Sequence, residues 1–213
     1  GLLILATVGE LYVHLQDFSA AAPLLERALA LVSDDTPPAL HAQILGDLSL
    51  VDVRLGEPAR ACERAEAALR LLEGLPSDQR LTLSDFLNYY GQCLRLTGRA
   101  AESLAAYERA AALRYAASGA DSVQTAVADN NLGTAYYMAG RLDDARARLD
   151  LALAGFERNQ RGDSHHAGNA LNNLAAIAFS QGRLADAQAY FERALEVQRR
   201  GGGESAALGA LTN

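Results

Sequence analysis

The chain says nearly the same thing twice. Asn130 to Ala145 reads NNLGTAYYMAGRLDDA, and 42 residues later Asn172 to Ala187 reads NNLAAIAFSQGRLADA. A fixed internal period constrains a chain strongly, because each unit must adopt a similar structure and cover its apolar face with a neighbour. Aligned on the glycine before Arg141 and Arg183, the same frame fits LTGRAAES, RLGEPARA and HLQDFSAA upstream. The frame position is Gln16, Gly56, Gly98, Gly140 and Gly182, at spacings of 40, 42, 42 and 42 residues.

Other letters keep this register. Eight residues before the frame position stand Val8, Leu48, Tyr90, Leu132 and Leu174, each followed by a small residue: Gly9, Ser49, Gly91, Gly133 and Ala175. Five after it come Ala21, Ala61, Ser103, Ala145 and Ala187; nine after it come Leu25, Ala65, Tyr107, Leu149 and Phe191. Twelve after it the residue is always alanine: Ala28, Ala68, Ala110, Ala152 and Ala194. Leu132, Gly133 and Tyr136 share one face of a helix, and Ala145, Leu149 and Ala152 share one face of the next. Small residues at Gly133 and Ala145 let the two axes approach, and Leu132 and Leu149 fill the space beside them. Each unit is therefore predicted to be an antiparallel helix pair with a short turn. Half the residues are hydrophobic, and the alanine- and leucine-rich composition favours helix.

The order Leu132-Gly133-x-x-Tyr136-x-x-x-Gly140-x-x-x-x-Ala145-x-x-x-Leu149-x-x-Ala152 resembles a tetratricopeptide repeat. The resemblance covers five registers and implies an all-α, right-handed superhelical solenoid of stacked antiparallel helix pairs. The usual period is about 34 residues; the longer one here is similar to the variant found in kinesin light chains and in bacterial regulators and signalling ATPases. The second repeat departs furthest, with Asp52 where the family often has tyrosine and Ala65 where it has a large residue. The expected repeats are approximately 1–33, 39–74, 80–117, 122–159 and 164–200 of a single 1–213 domain, with 204–213 opening a truncated sixth. Expected linkers are Ser33 to Pro38, Gly74 to Asp78, Ser118 to Asp121, Arg161 to His165 and Gly201 to Gly203. Pro58 suits the first position of a helix, and Ser19 as an N-cap would put Pro23 in a first turn.

By the same resemblance, the opposite face of each first helix lines the inner groove. It carries Asn88, Asn130 and Asn172 at one position and Tyr89, Asn131 and Asn173 at the next. Gln92 and Thr134, then Arg95, Tyr137 and Phe179, and beside them Arg54, continue it. An asparagine amide offers donor and acceptor together and so matches a peptide bond. These amides either hold an extended peptide or bond to neighbouring helices and stiffen the superhelix. A carboxylate clamp built on lysines is ruled out, because all 19 basic residues are arginine. Glu10, Asp47 and Asp85 make the expected groove mixed in polarity.

The expected function is binding of a protein or peptide ligand in the concave groove, not catalysis. No acid–base or nucleophile set converges in the sequence, and no cofactor is expected. The formal net charge of −7 excludes a general nucleic-acid partner, which needs clustered cations. No apolar run suits a membrane span. His165 and His166, near Asp163, read as a solvated linker rather than a metal site. Cys62 and Cys93, in no CxxC pattern, read as reduced packing residues of a cytoplasmic protein. The chain lacks an initiator methionine and is expected to begin inside a larger bacterial regulatory or signalling protein. Homodimerisation through exposed terminal repeats is the alternative expectation.

Overall fold

Helix pairing follows the repeat register. The computed structural model describes residues 1–73, 80–162 and 164–211, and the side chains among these except those of 80 and 201–211. The described secondary structure is α1 (Leu2–His14), α2 (Phe18–Leu29), α3 (Pro38–Leu55), α4 (Pro58–Leu72), α5 (Arg80–Leu96), α6 (Ala100–Ser118), α7 (Val123–Met138), α8 (Leu142–Arg158), α9 (His165–Ser180) and α10 (Leu184–Leu211). The chain divides into two compact units, Gly1–Leu113 and Arg114–Asn213.

The turn inside each pair is a left-handed residue. Gly56, Gly98, Gly140 and Gly182 have φ between 74° and 85°, and Gln16 takes the same role at φ 59°. Glycine meets no Cβ penalty there, which is why the frame position is so regular. The arginine after it recurs for a second reason. Arg99 pairs with Glu102, Arg141 with Asp144 and Arg183 with Asp186, each bridging the first turn of the second helix.

The small residue of each first helix faces the second helix. A Cβ on Gly9 would meet Leu25 at 2.6 Å, and one on Gly133 would meet Leu149 at 2.7 Å. Where serine takes a small position it spends its hydroxyl on the opposing backbone. Ser49 Oγ donates to the Ala61 carbonyl at 2.9 Å, and Ser103 Oγ donates to the Gly91 carbonyl at 2.7 Å. Leu132 and Leu174 are almost fully buried, as are the recurrent alanines Ala28, Ala68, Ala110 and Ala152. In the first unit α2 packs on α3 and α4 on α5; in the second, α8 packs on α9.

Several expectations change. Asp17, not Ser19, caps α2, accepting from the Ala20 N–H at 3.0 Å, so Pro23 lies inside the helix rather than in its first turn. The carboxylate is the better acceptor, and it follows the turn residue directly. Pro58 does open α4. His165 and His166 are not in a loop: they begin α9, capped by Ser164, and the His166 ring stacks on Phe156 at 5.9 Å. Asp163 lies outside the described residues, as does the expected linker Gly74 to Asp78. α10 runs through Gly201–Gly203, where a break is expected; glycine weakens a helix but removes none of its hydrogen bonds.

The cysteines are also reassigned. Cys62 on α4 and Cys93 on α5 form a disulfide, with Cα atoms 5.4 Å apart. That separation is within the roughly 4.4–6.8 Å a disulfide requires. The spacing in sequence conceals the pairing, because the two residues meet only when consecutive helix pairs stack.

Candidate functional site

In the first unit, the faces of α1, α3 and α5 that look away from their partner helices form a cleft of about 440 Å³. Val13, Leu50, Phe18, Phe86 and Tyr89 supply its apolar surface; Glu10, Asp47, Asp85, Gln43, Thr82, His14 and Arg54 supply the polar groups. This mixture of apolar wall and a few polar groups suits a ligand that carries both.

The walls are set by register. Gly46 occupies the position that holds Asn88, Asn130 and Asn172 in later repeats. Its missing side chain admits Phe86 of α5, whose ring would lie 2.2 Å from a Cβ there. The next residue, Asp47, is only 5 % exposed. Its Oδ1 accepts from Gln43 Nε2 at 3.1 Å. Burial pushes its carboxyl up to about 7, with Glu10 acting in the same direction and the Gln43 bond and His14 opposing. Glu10 and His14 lie 3.7 Å apart one turn along α1. Arg54 lies over the Phe18 ring, 5.7 Å from its centre.

The other predicted groove residues of this unit are more committed to the fold. Asn88 Nδ2 donates to the Ser84 carbonyl one turn back at 2.9 Å. Gln92 is half-buried. Arg95 bonds the Tyr107 phenol, whose proton burial holds up to about 12.

In the second unit the amides divide. Asn130 is 5 % exposed and its Oδ1 is buried without a hydrogen-bond partner. Asn131 is half-buried and Asn172 exposed. Asn173 Nδ2 donates to Thr134 Oγ1 at 2.8 Å, tying α9 to α7. Tyr137 is half-buried and Phe179 is 64 % exposed. The duplicated asparagine pair therefore contributes one helix-to-helix link and one buried amide, with Asn172 facing solvent.

Residue-by-residue reading of the sequence does not single out Phe18, Gln43, Thr82 or Phe86 as cleft residues. The available signal is Gly46: a glycine at a position held by asparagine in the three later repeats marks a close approach. Among the described residues, no group of three or more His, Cys, Asp or Glu side chains could hold a metal ion. No described helix is long and apolar enough to cross a membrane.

The family model for the tetratricopeptide repeat matches residues 82–158, 124–200 and 166–212, together more than half of the chain. The chain belongs to the tetratricopeptide-repeat family. Its fold is all-α and of the tetratricopeptide-repeat solenoid class. Solved structures agree. BtubC (BKLC) from P. vanneervenii is 22 % identical with a TM-score of 0.76, covering 93 % of this chain and 80 % of that one. A Podosopora anserina putative kinesin light chain with nearly identical TPR-like repeats is 17 % identical with a TM-score of 0.70, covering 93 % and 95 %. YrrB, described as a TPR protein with an unusual peptide-binding site, is 18 % identical with a TM-score of 0.59, covering 98 % and 91 %. No curated protein sequence matches at a significant level. The matched windows begin after the second tetratricopeptide repeat, the one whose tyrosine position holds Asp52. That carboxylate is 1 % exposed and is held by Arg60 at 2.6 Å and Arg64 at 2.8 Å, so a buried ion-pair network replaces the aromatic.

Proposed function

We propose that this tetratricopeptide-repeat chain is a protein- or peptide-binding scaffold module of a larger bacterial regulatory or signalling protein. The observation that carries the reading is the α1–α3–α5 cleft, where apolar and polar side chains line one concave surface together. YrrB, which shares the fold, is a protein with a peptide-binding site. The regulatory context follows the family resemblance, and a DNA-binding or nucleotide-switch domain beside this segment would support it.

The test is a panel of blocked peptides titrated against wild type, an Arg54→Ala/Tyr89→Ala variant and an Asn131→Ala/Phe179→Ala variant, oxidised and reduced. At least one peptide is expected to bind and to lose about tenfold or more in one variant, the size of one or two lost contacts. Peptide binding untouched by both variants would remove the groove from the mechanism.

A second reading is self-association. On α1 and its C-cap, Ile4, Val8, Leu11 and Leu15 recur at helical spacing and are exposed; on α10, Leu184, Phe191 and Leu195 do the same. Such faces associate readily. Light scattering over a dilution series, with Leu11→Glu as the control, checks this: a monomer at every concentration counts against it.

A further inference from the structure

We propose that the cleft between α1, α3 and α5 receives a basic side chain, arginine or lysine, of a bound peptide, and that Asp47 is the carboxylate that takes it. The proposal rests on the peptide-binding reading and specifies its ligand.

The chain's other deeply buried carboxylates are paired with arginines. Asp52, 1 % exposed, has Arg60 and Arg64. Asp129, 2 % exposed, has Arg148 at 3.0 Å and the Tyr115 hydroxyl at 2.6 Å. Asp47 is buried to a similar degree, yet among the described residues no arginine pairs with it, and it accepts a hydrogen bond from the neutral Gln43 amide. A carboxylate taken out of water without a cation is costly. This one lines an open cleft rather than a closed core. A cation entering the cleft would complete Asp47 as the internal arginines complete Asp52 and Asp129.

The surroundings fit a basic side chain and little else of comparable size. Glu10 on α1 lines the same cleft and adds negative potential. Tyr89, only half-buried, offers aromatic surface of the kind on which a guanidinium stacks. Arg54, resting on Phe18, makes the cleft unsuitable for a uniformly cationic ligand and favours one basic residue among apolar neighbours. Ionisation of Asp47 near neutrality then couples to binding. The groups facing it are Glu10 and His14 on α1, Gln43 and Arg54 on α3, and Asp85 on α5.

The experiment is calorimetric titration of the 213-residue chain with two blocked pentapeptides. One is acetyl-Gly-Leu-Arg-Leu-Gly-amide; the other has citrulline, the neutral isostere, in place of arginine. The arginine peptide is expected to bind at least about tenfold tighter, a margin typical of one charge-assisted contact. Asp47→Asn should erase the preference, and Glu10→Gln at the rim should reduce it. Arginine-peptide affinity should rise about tenfold from pH 6 to pH 8 as Asp47 ionises, and stay flat in Asp47→Asn; His14→Gln separates the histidine. Circular dichroism confirms that each variant is folded; should Asp47→Asn fail, Glu10→Gln and the wild-type pH series decide. Equal binding of the two peptides, or an arginine preference that survives in folded Asp47→Asn, overturns the proposal. Acidic or neutral peptides that bind without arginine preference sink this inference alone. A panel in which no peptide binds sinks the binding reading with it.

Discussion

Asp47, Asp52 and Asp129 are buried to the same extent and differ in what compensates them. Two have arginines; Asp47 has an amide. The consequence is a pH dependence of stability with a definite sign. A carboxyl raised from 3.8 to about 7 in the folded state binds its proton in the folded protein at pH values where the unfolded chain has released it. The contribution of Asp47 to stability is then greatest below pH 4 and falls as pH rises, until Asp47 ionises in the folded state near pH 7. The loss across that window from Asp47 alone is on the order of 4 kcal/mol. Urea unfolding at pH 4, 5.5 and 7 checks it, after subtracting the profile of Asp47→Asn. That variant should be flatter with pH and, above pH 7, more stable than wild type. A wild-type profile that parallels the variant would show that Asp47 is not compensated as described. The same scale accounts for Asn130: the one described side-chain atom that is buried without a partner belongs to the residue the sequence offers most plainly as a groove amide.

At the scale of the helix pair, the left-handed turn decides the geometry, and four of five repeats use glycine for it. Gln16 is the exception. A non-glycine residue in this conformation costs roughly 1–2 kcal/mol. Gln16→Gly is therefore expected to stabilise the chain by about 1 kcal/mol, net of the extra freedom of the unfolded glycine. Gly140→Ala, at φ 74°, is expected to destabilise by about 1–2 kcal/mol. Thermal melts of both variants beside wild type test the pair, and shifts of the same sign would contradict it. These turns, the small-against-large contacts and the helix order were legible because each depends on residues a fixed distance apart within one repeat. The site was less legible because it depends on neighbours in adjacent repeats. Asn88, Asn130 and Asn173 belong to the same predicted groove face, yet Asn88 bonds its own helix, Asn130 is buried and Asn173 bonds the preceding first helix. Phe86 enters the cleft because Gly46 makes room, a relation that joins position 46 of one repeat to position 86 of the next.

At the scale of the whole chain, a stack of repeats holds together through local terms and nearest-neighbour contacts, and one of those contacts is covalent. The Cys62–Cys93 bridge joins the second helix of one repeat to the first helix of the next, closing a loop of sequence separation 31. The second repeat needs such support. Its Ala65 stands where the others place Leu25, Tyr107, Leu149 or Phe191, and its Asp52 network substitutes polar pairing for aromatic packing. By the chain-entropy account, a loop of this length is worth roughly 3–4 kcal/mol, less any residual structure in the reduced chain. Reduction should therefore act locally rather than uniformly. Hydrogen exchange followed by mass spectrometry, with and without reductant, should show faster exchange in α3, α4 and α5 of the first unit and unchanged exchange in α7 and α9 of the second. Cys62→Ser/Cys93→Ser should reproduce the reduced pattern without added reductant. Because α3 and α5 also form the cleft, the same loss of protection would appear as weaker peptide binding in the first unit. An even rise in exchange over all helices would show instead that the two units unfold as one cooperative body.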